Sequence, residues 1–194
     1  YLVSEFGAVI VYLGLAGLVG GYFYTGGPLG YKYRALGEPL VFLLMGPLMV
    51  FGGWYVQTGR LSWTPVWVSL PVGLLVAAIL HANNWRDIPH DARAGFTTIP
   101  GLFGWKFTRW TYRGLVLASY LWLGFLVVEG LAPLWTLIAL LTLATWVKLH
   151  RMVVHAEPMK PEQLATLDIS TAQFHFQFGI LLTAGFVLAR VFGA

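Results

Sequence analysis

Thr64-Pro65-Val66-Trp67-Val68-Ser69-Leu70-Pro71-Val72-Gly73-Leu74-Leu75-Val76-Ala77-Ala78-Ile79-Leu80-His81-Ala82-Asn83-Asn84-Trp85-Arg86-Asp87-Ile88-Pro89-His90-Asp91-Ala92-Arg93-Ala94-Gly95 is the stretch on which the reading of this chain turns. Residues 64–82 form an almost unbroken apolar run, long enough as a helix to cross a bilayer, which needs about 20 residues. Residues 83–95 then gather two carboxamides, two carboxylates and two arginines. Only 8 of the 194 residues are Asp or Glu, so Asp87 and Asp91, four apart, are a local concentration. Ionisable groups at the end of a membrane-crossing segment are costly unless they bind something.

The rest of the composition agrees with a membrane setting. The chain is 58% hydrophobic and 10% charged, against about 25% charged for soluble domains. Six apolar runs, at about 5–24, 38–57, 64–82, 113–130, 132–149 and 170–191, are continuous rather than alternating. Only helices or closed barrels satisfy every backbone group in lipid. The fold class is therefore an all-α, polytopic transmembrane helical bundle, taken as one domain over 1–194. Cysteine is absent, which excludes disulfides and thiolate metal sites. The net charge of +4 sits in short loops between apolar runs, so no nucleic-acid partner is expected.

The loops alternate in charge. Lys32, Arg34, Arg86, Arg93, Lys106, Arg109, Arg113, Lys148, Arg151 and Lys160 lie in or beside one set, and only Arg60 and Arg190 on the other. Such a bias sets orientation. It places the 83–95 stretch in the cytoplasm of a multi-pass protein of, we expect, a bacterial cytoplasmic membrane. Six spans then put Tyr1 outside, with neither a start Met nor a signal peptide. An odd number of helices upstream of Tyr1 is expected.

Three groups of residues are candidates for chemistry. If the helix through 64–82 continues past the membrane, Asn83, Asn84, Asp87 and Asp91 fall at i, i+1, i+4 and i+8, with one amide and both carboxylates on a shared face. Oxygen-only ligands suit Mg²⁺, which combines carboxylates with substrate phosphates. The plainer alternative is a solvated loop whose acids pair with Arg86 and Arg93, and Pro89 interrupts a regular helix. The second group follows the Gly/Pro turn of Tyr24-Thr25-Gly26-Gly27-Pro28, where Lys32 and Arg34 could grip phosphate oxygens or simply signal topology. The third is Lys106, Arg109 and Arg113, spaced as a helical stripe that faces either phosphate or lipid headgroups. His81, His150, His155 and His175 show no matched pair across two helices, so no haem is expected. His81 is expected to satisfy a hydrogen bond near the membrane boundary.

The first two segments together resemble the UbiA superfamily of intramembrane prenyltransferases, nearest the menaquinone-pathway branch that prenylates 1,4-dihydroxy-2-naphthoate. That family carries a loop like Tyr24-Thr25-Gly26-Gly27-Pro28, followed by Leu36-Gly37-Glu38. Two helices later it carries Asn-Asn-x-Arg-Asp-x-x-x-Asp-x-x-x-Gly, matched here by Asn83 to Gly95. The resemblance covers nearly the whole chain. It implies nine helices, of which the six here are the last, with a first Asp-rich motif upstream.

By that resemblance Asp87, Asp91 and Asn84 would hold Mg²⁺ against the diphosphate of a polyprenyl donor. Asn83 would complete the polar shell, Lys32, Arg34 and Arg86 would face diphosphate oxygens, and Tyr24 would line the side of the aromatic acceptor. The implied reaction belongs to quinone biosynthesis. The family usually continues Gly-Lys-Arg-Thr, where this chain has Gly95-Phe96-Thr97-Thr98; Lys106 or Arg109 would then stand in for the missing cations. The alternative reading is a non-catalytic relative that scaffolds or binds quinone or pigment in a larger membrane complex.

Overall fold

The structure, a computed structural model, describes residues 1–158 and 160–193. Eight helices carry the chain, and among the described residues there is no strand. A short α1 (Leu2–Phe6) is separated by Gly7 from α2 (Ala8–Thr25). Next come α3 (Gly37–Thr58), α4 (Thr64–Arg86), the short α5 (Ile88–Arg93), α6 (Ile99–Val128), α7 (Leu134–His155) and α8 (Leu167–Phe192). Six of these are long and apolar enough to cross a membrane. The all-α, multi-pass bundle read from the hydrophobic runs is the fold observed.

One helix begins well before the run that announced it. The span expected near 113–130 belongs to α6, which starts at Ile99. Residues 99–112, read as loop, are helical because local signals favour it. Thr98 caps the first turn by accepting a hydrogen bond from the Gly101 amide, and Pro100 occupies a first-turn position, where its missing N–H costs nothing. Lys106, Arg109 and Arg113 lower the hydropathy of this segment without opposing the helix. Gly104, at φ 74°, breaks the helix direction between its first turn and the rest.

The core is organised around α4. Half of its central stretch is buried, against 6% for α2. Leu75, Ala78, Ala82 and Trp85 of α4 meet Tyr112 and Val116 of α6 and Phe174 and Phe178 of α8. Polar groups inside are answered in pairs: Tyr112 and Thr171 share a hydroxyl–hydroxyl bond of 2.7 Å, as do Tyr120 and Thr142. Where no water is available, such pairing is obligatory.

Close backbone approaches fix two helix crossings. Pro47 has no N–H to give, and α3 passes it through a wide turn over Leu44–Leu48. There Gly46 meets Gly73 of α4 so tightly that a β-carbon on Gly46 would lie 2.9 Å from the Gly73 Cα. Between α7 and α8, a β-carbon on Gly185 would lie 2.5 Å from the Thr136 Cα. The first part of α7, Leu134–Thr142, is wound as a 3₁₀ helix and carries Thr136 into that contact. Gly179, on the same helix as Gly185, has open space around it.

This contrast predicts two substitutions of equal chemistry and opposite result. Gly185→Ala should destabilise the detergent-solubilised protein by about 1–3 kcal/mol, the usual cost of overpacking. Gly179→Ala should melt at or above the parent temperature, because Ala is the better helix former. Equal melting temperatures for the two variants would contradict the α7–α8 contact.

Candidate functional site

At one end of the bundle the Gly/Pro loop after α2 meets the turn between α4 and α6. α2 ends at Gly26, Gly27 takes φ 63°, and Gly30 at φ 43° opens a single 3₁₀ turn, Tyr31–Tyr33. Arg34 donates to the Pro28 carbonyl at 2.9 Å, so its guanidinium closes its own loop. The loop is then tied to residues after α5. The Ala35 amide donates to the Thr97 carbonyl at 2.8 Å, and the Thr97 amide to the Tyr33 carbonyl at 3.1 Å. Above this bridge the Tyr33 and Phe96 rings stack with centroids 4.0 Å apart. Phe96, the residue at which the motif departs from the family pattern, is thus one half of a clasp between the two loops.

The Asp pair does not lie on one straight helix. α4 ends at Arg86, Asp87 breaks it at φ −90°, ψ 5°, and α5 restarts with Pro89 in its first turn. Proline lacks the N–H that would bond the Trp85 carbonyl, so the helix cannot run through. The expected shared face is replaced by a single turn in which the Asp91 amide donates to the Asp87 carbonyl at 2.9 Å.

The two amides face opposite ways. Asn83 donates to Asp168 Oδ2 of α8 at 3.4 Å. Asn84 is buried and donates through Nδ2 to Glu38 Oε1 of α3 at 3.1 Å. Arg86 lies between two carboxylates. Its Nε and one terminal nitrogen reach the two oxygens of Asp87 at 2.8 and 3.0 Å, and its other terminal nitrogen reaches Asp168 at 2.6 Å. This fork is the strong form of carboxylate pairing. Asp87 pairs with Arg86, as the plainer alternative has it, with Asp168 as an added partner from α8. Arg93 instead donates to the Pro89 carbonyl.

Asp91 is left differently. Among the described residues no donor reaches its carboxylate. Partial burial and the neighbouring Asp87 charge push its pKa up, and the charges of Lys32 and His90 draw it down by less. Lys32 is thus among the charges that Asp91 feels. Tyr24 packs its ring beside Gly37, next to Glu38. Lys106 is exposed, and Arg109 donates to the Ala156 carbonyl at the end of α7. Arg113 lies 4.4 Å over the Trp110 ring. The stripe of cations on α6 is thus divided among a helix end, an aromatic ring and solvent.

Beneath the loops lies a buried cluster built on His81, Glu38 and Asn84. His81 Nε2 sits 3.1 Å from the Thr108 carbonyl oxygen, which only accepts, so that nitrogen carries a proton. His81 Nδ1 lies 3.2 Å from Glu38 Oε1. His81 makes the hydrogen bond expected of it. Neither Glu38 nor Asp168 is marked as a site residue by the motif spacing. Both are among the 8 acids of the chain and sit at the ends of apolar runs, which is the signal that would have marked them.

Among the described residues no three His, Asp or Glu side chains converge as a self-sufficient metal site. Two neighbouring carboxylates, one without a donor, form an incomplete oxygen set. That is the chemistry of Mg²⁺ sites whose remaining ligands come from water and substrate phosphate.

The raised pKa of Asp91 has a sign that can be tested without substrate. In the folded protein Asp91 holds its proton more firmly than in the unfolded chain, so its contribution favours folding below the ordinary aspartate value. It is lost as pH rises through the raised one. At neutral pH, without divalent cations, Asp91→Asn should therefore melt above the parent protein. Melting curves against pH should show this advantage shrinking as acid is added.

Comparison with known proteins shows the family. The UbiA prenyltransferase family matches residues 2–172. The 1,4-dihydroxy-2-naphthoate octaprenyltransferase of Bacillus subtilis (strain 168) is 32% identical over 177 residues, 91% of this chain and 56% of that protein. The UbiA prenyltransferase domain-containing protein 1 homolog of Drosophila melanogaster is 36% identical over 175 residues, 89% of this chain and 45% of its own length. The UbiA prenyltransferase domain-containing protein 1 of Homo sapiens is 33% identical over 183 residues, 94% of this chain and 52% of its own. The chain spans about half the length of these relatives. With a family match across most of its length and an Asp-bearing turn facing a lysine loop at one end of a membrane bundle, the chain belongs to the UbiA prenyltransferase family.

Proposed function

We propose that the full-length protein transfers a polyprenyl group from its diphosphate to a dihydroxynaphthoate-like aromatic acceptor, in a Mg²⁺-dependent step of quinone biosynthesis. The observation that carries this reading is the joining of the Lys32-bearing loop to the segment that follows the Asp87–Asp91 turn, through the Ala35–Thr97 and Thr97–Tyr33 backbone bonds and the Tyr33–Phe96 stack. The Bacillus relative, named as a dihydroxynaphthoate octaprenyltransferase, supports the choice of acceptor. The loop charge bias supports a cytoplasmic position for this end of the bundle.

Asp87 and Asp91 would hold the metal, with Asn84 offering its carbonyl oxygen. Mg²⁺ bound there supplies positive charge that stabilises departing diphosphate. Lys32 supplies further charge to the same oxygens. Arg86, committed to Asp87 and Asp168, is assigned to orienting Asp87 rather than to holding phosphate itself. Tyr24 stands on the acceptor side, beside the entry to α3. The surrounding helices exclude water, which would otherwise capture the allylic cation. An apolar groove of about 380 Å³ between α2, α3 and α4, lined by Leu13, Leu44, Phe51 and Trp63, has the chemistry an isoprenoid tail requires.

Prenyl transfer to dihydroxynaphthoate, measured in membranes holding the full-length protein, should vanish on chelation and return with Mg²⁺. Asp87→Ala and Asp91→Ala should each lower it by about 100-fold or more, with unchanged membrane insertion. Full activity in either variant refutes the site assignment.

A further inference from the structure

We propose that Glu38 is a positioning residue for the Asp-bearing turn, acting through the amide of Asn84. The inference rests on the metal–diphosphate reading of that turn. Three bonds carry it. The Thr108 carbonyl holds His81 through Nε2, His81 Nδ1 holds Glu38 Oε1, and the same oxygen receives Asn84 Nδ2. All four groups are buried and come from three helices, α3, α4 and α6.

The bond fixes a polarity as well as a place. An amide has one donating and one accepting end, which an unrestrained asparagine exchanges by rotating about its last torsion. Glu38 Oε1 accepts from Asn84, so the nitrogen is turned towards α3 and the oxygen is the end left to offer. Oxygen is the end a hard cation takes. Glu38 thus orients a ligand without touching metal or substrate. It also joins the two loops from below, since it lies in the first turn of the helix that follows the Lys32 loop and grips the helix that ends just before Asp87.

Glu38→Gln tests the polarity, because a second amide at 38 pairs with Asn84 in either orientation. The probe is Mn²⁺ with geranyl diphosphate and no acceptor, followed by electron paramagnetic resonance on full-length protein in detergent. Glu38→Gln should weaken Mn²⁺ binding by about 10-fold, as loss of a group supporting a ligand does. Asn84→Ala should weaken it at least as much. The double variant should match Asn84→Ala alone, because Glu38 acts only through that amide.

Melting of the metal-free proteins separates lost fold from lost position. If Glu38→Gln does not survive extraction, Glu38→Asp supplies the comparison, keeping the charge and shortening the reach to Asn84. Parent-like Mn²⁺ binding in a folded Glu38 variant, or multiplying losses in the double variant, overturns this inference and leaves the transferase reading standing. A parent protein that binds no Mn²⁺ overturns both.

Discussion

The bundle depends on how it answers one buried carboxylate. Glu38 lies at the start of an apolar helix with almost no access to water, and a bare charge there would oppose folding. Its Oε1 is answered by His81 and Asn84 of the neighbouring helix, while among the described residues no donor reaches its buried Oε2, and His81 is answered in turn by the backbone of a third helix. Removing one member of such a set leaves the other groups stranded, at about 3–5 kcal/mol for a buried pair. The Gly46–Gly73 approach fixes where α3 crosses α4, and the directed hydrogen-bond chain ties α6 to the same register.

The site above this cluster is unevenly balanced. Asp87 is held by a guanidinium fork, and Asp168 on the last helix shares the same arginine. Among the described residues no donor reaches Asp91, which sits beside a like charge. The same turn thus holds one carboxylate fixed by a guanidinium and one that is partly open to solvent. Tolerating an unfavourable charge where function asks for it is a familiar exchange of stability for binding.

Much of this was legible in the sequence, and the failures have physical causes. Continuous apolar runs announced the spans, because lipid leaves the backbone little choice. The start of α6 was hidden, because Lys106 and Arg109 depress hydropathy while Thr98 and Pro100 promote a helix through capping and dihedral preference. The Asp motif was visible, but its straight-helix geometry was not realised, since Pro89 ends α4. Asn83 and Asn84 are adjacent in sequence, yet one serves α8 and the other α3. Those partners are tertiary, and no local spacing encodes them.

The clasp between Tyr33 and Phe96 also governs how the site senses its surroundings. Stacked rings are held by dispersion and quadrupoles, which dissolved ions do not screen, whereas the attraction between Lys32 and an anion weakens within a Debye length of about 8–10 Å. The spacing of the two loops is thus set by shape, and their grip on an anion by charge. A cation at position 96 would merge the two, since its repulsion from Lys32 would make the spacing of the loops follow ionic strength. With an aromatic ring there, salt alters how strongly the Lys32 loop draws an anion and leaves the contact between the loops in place.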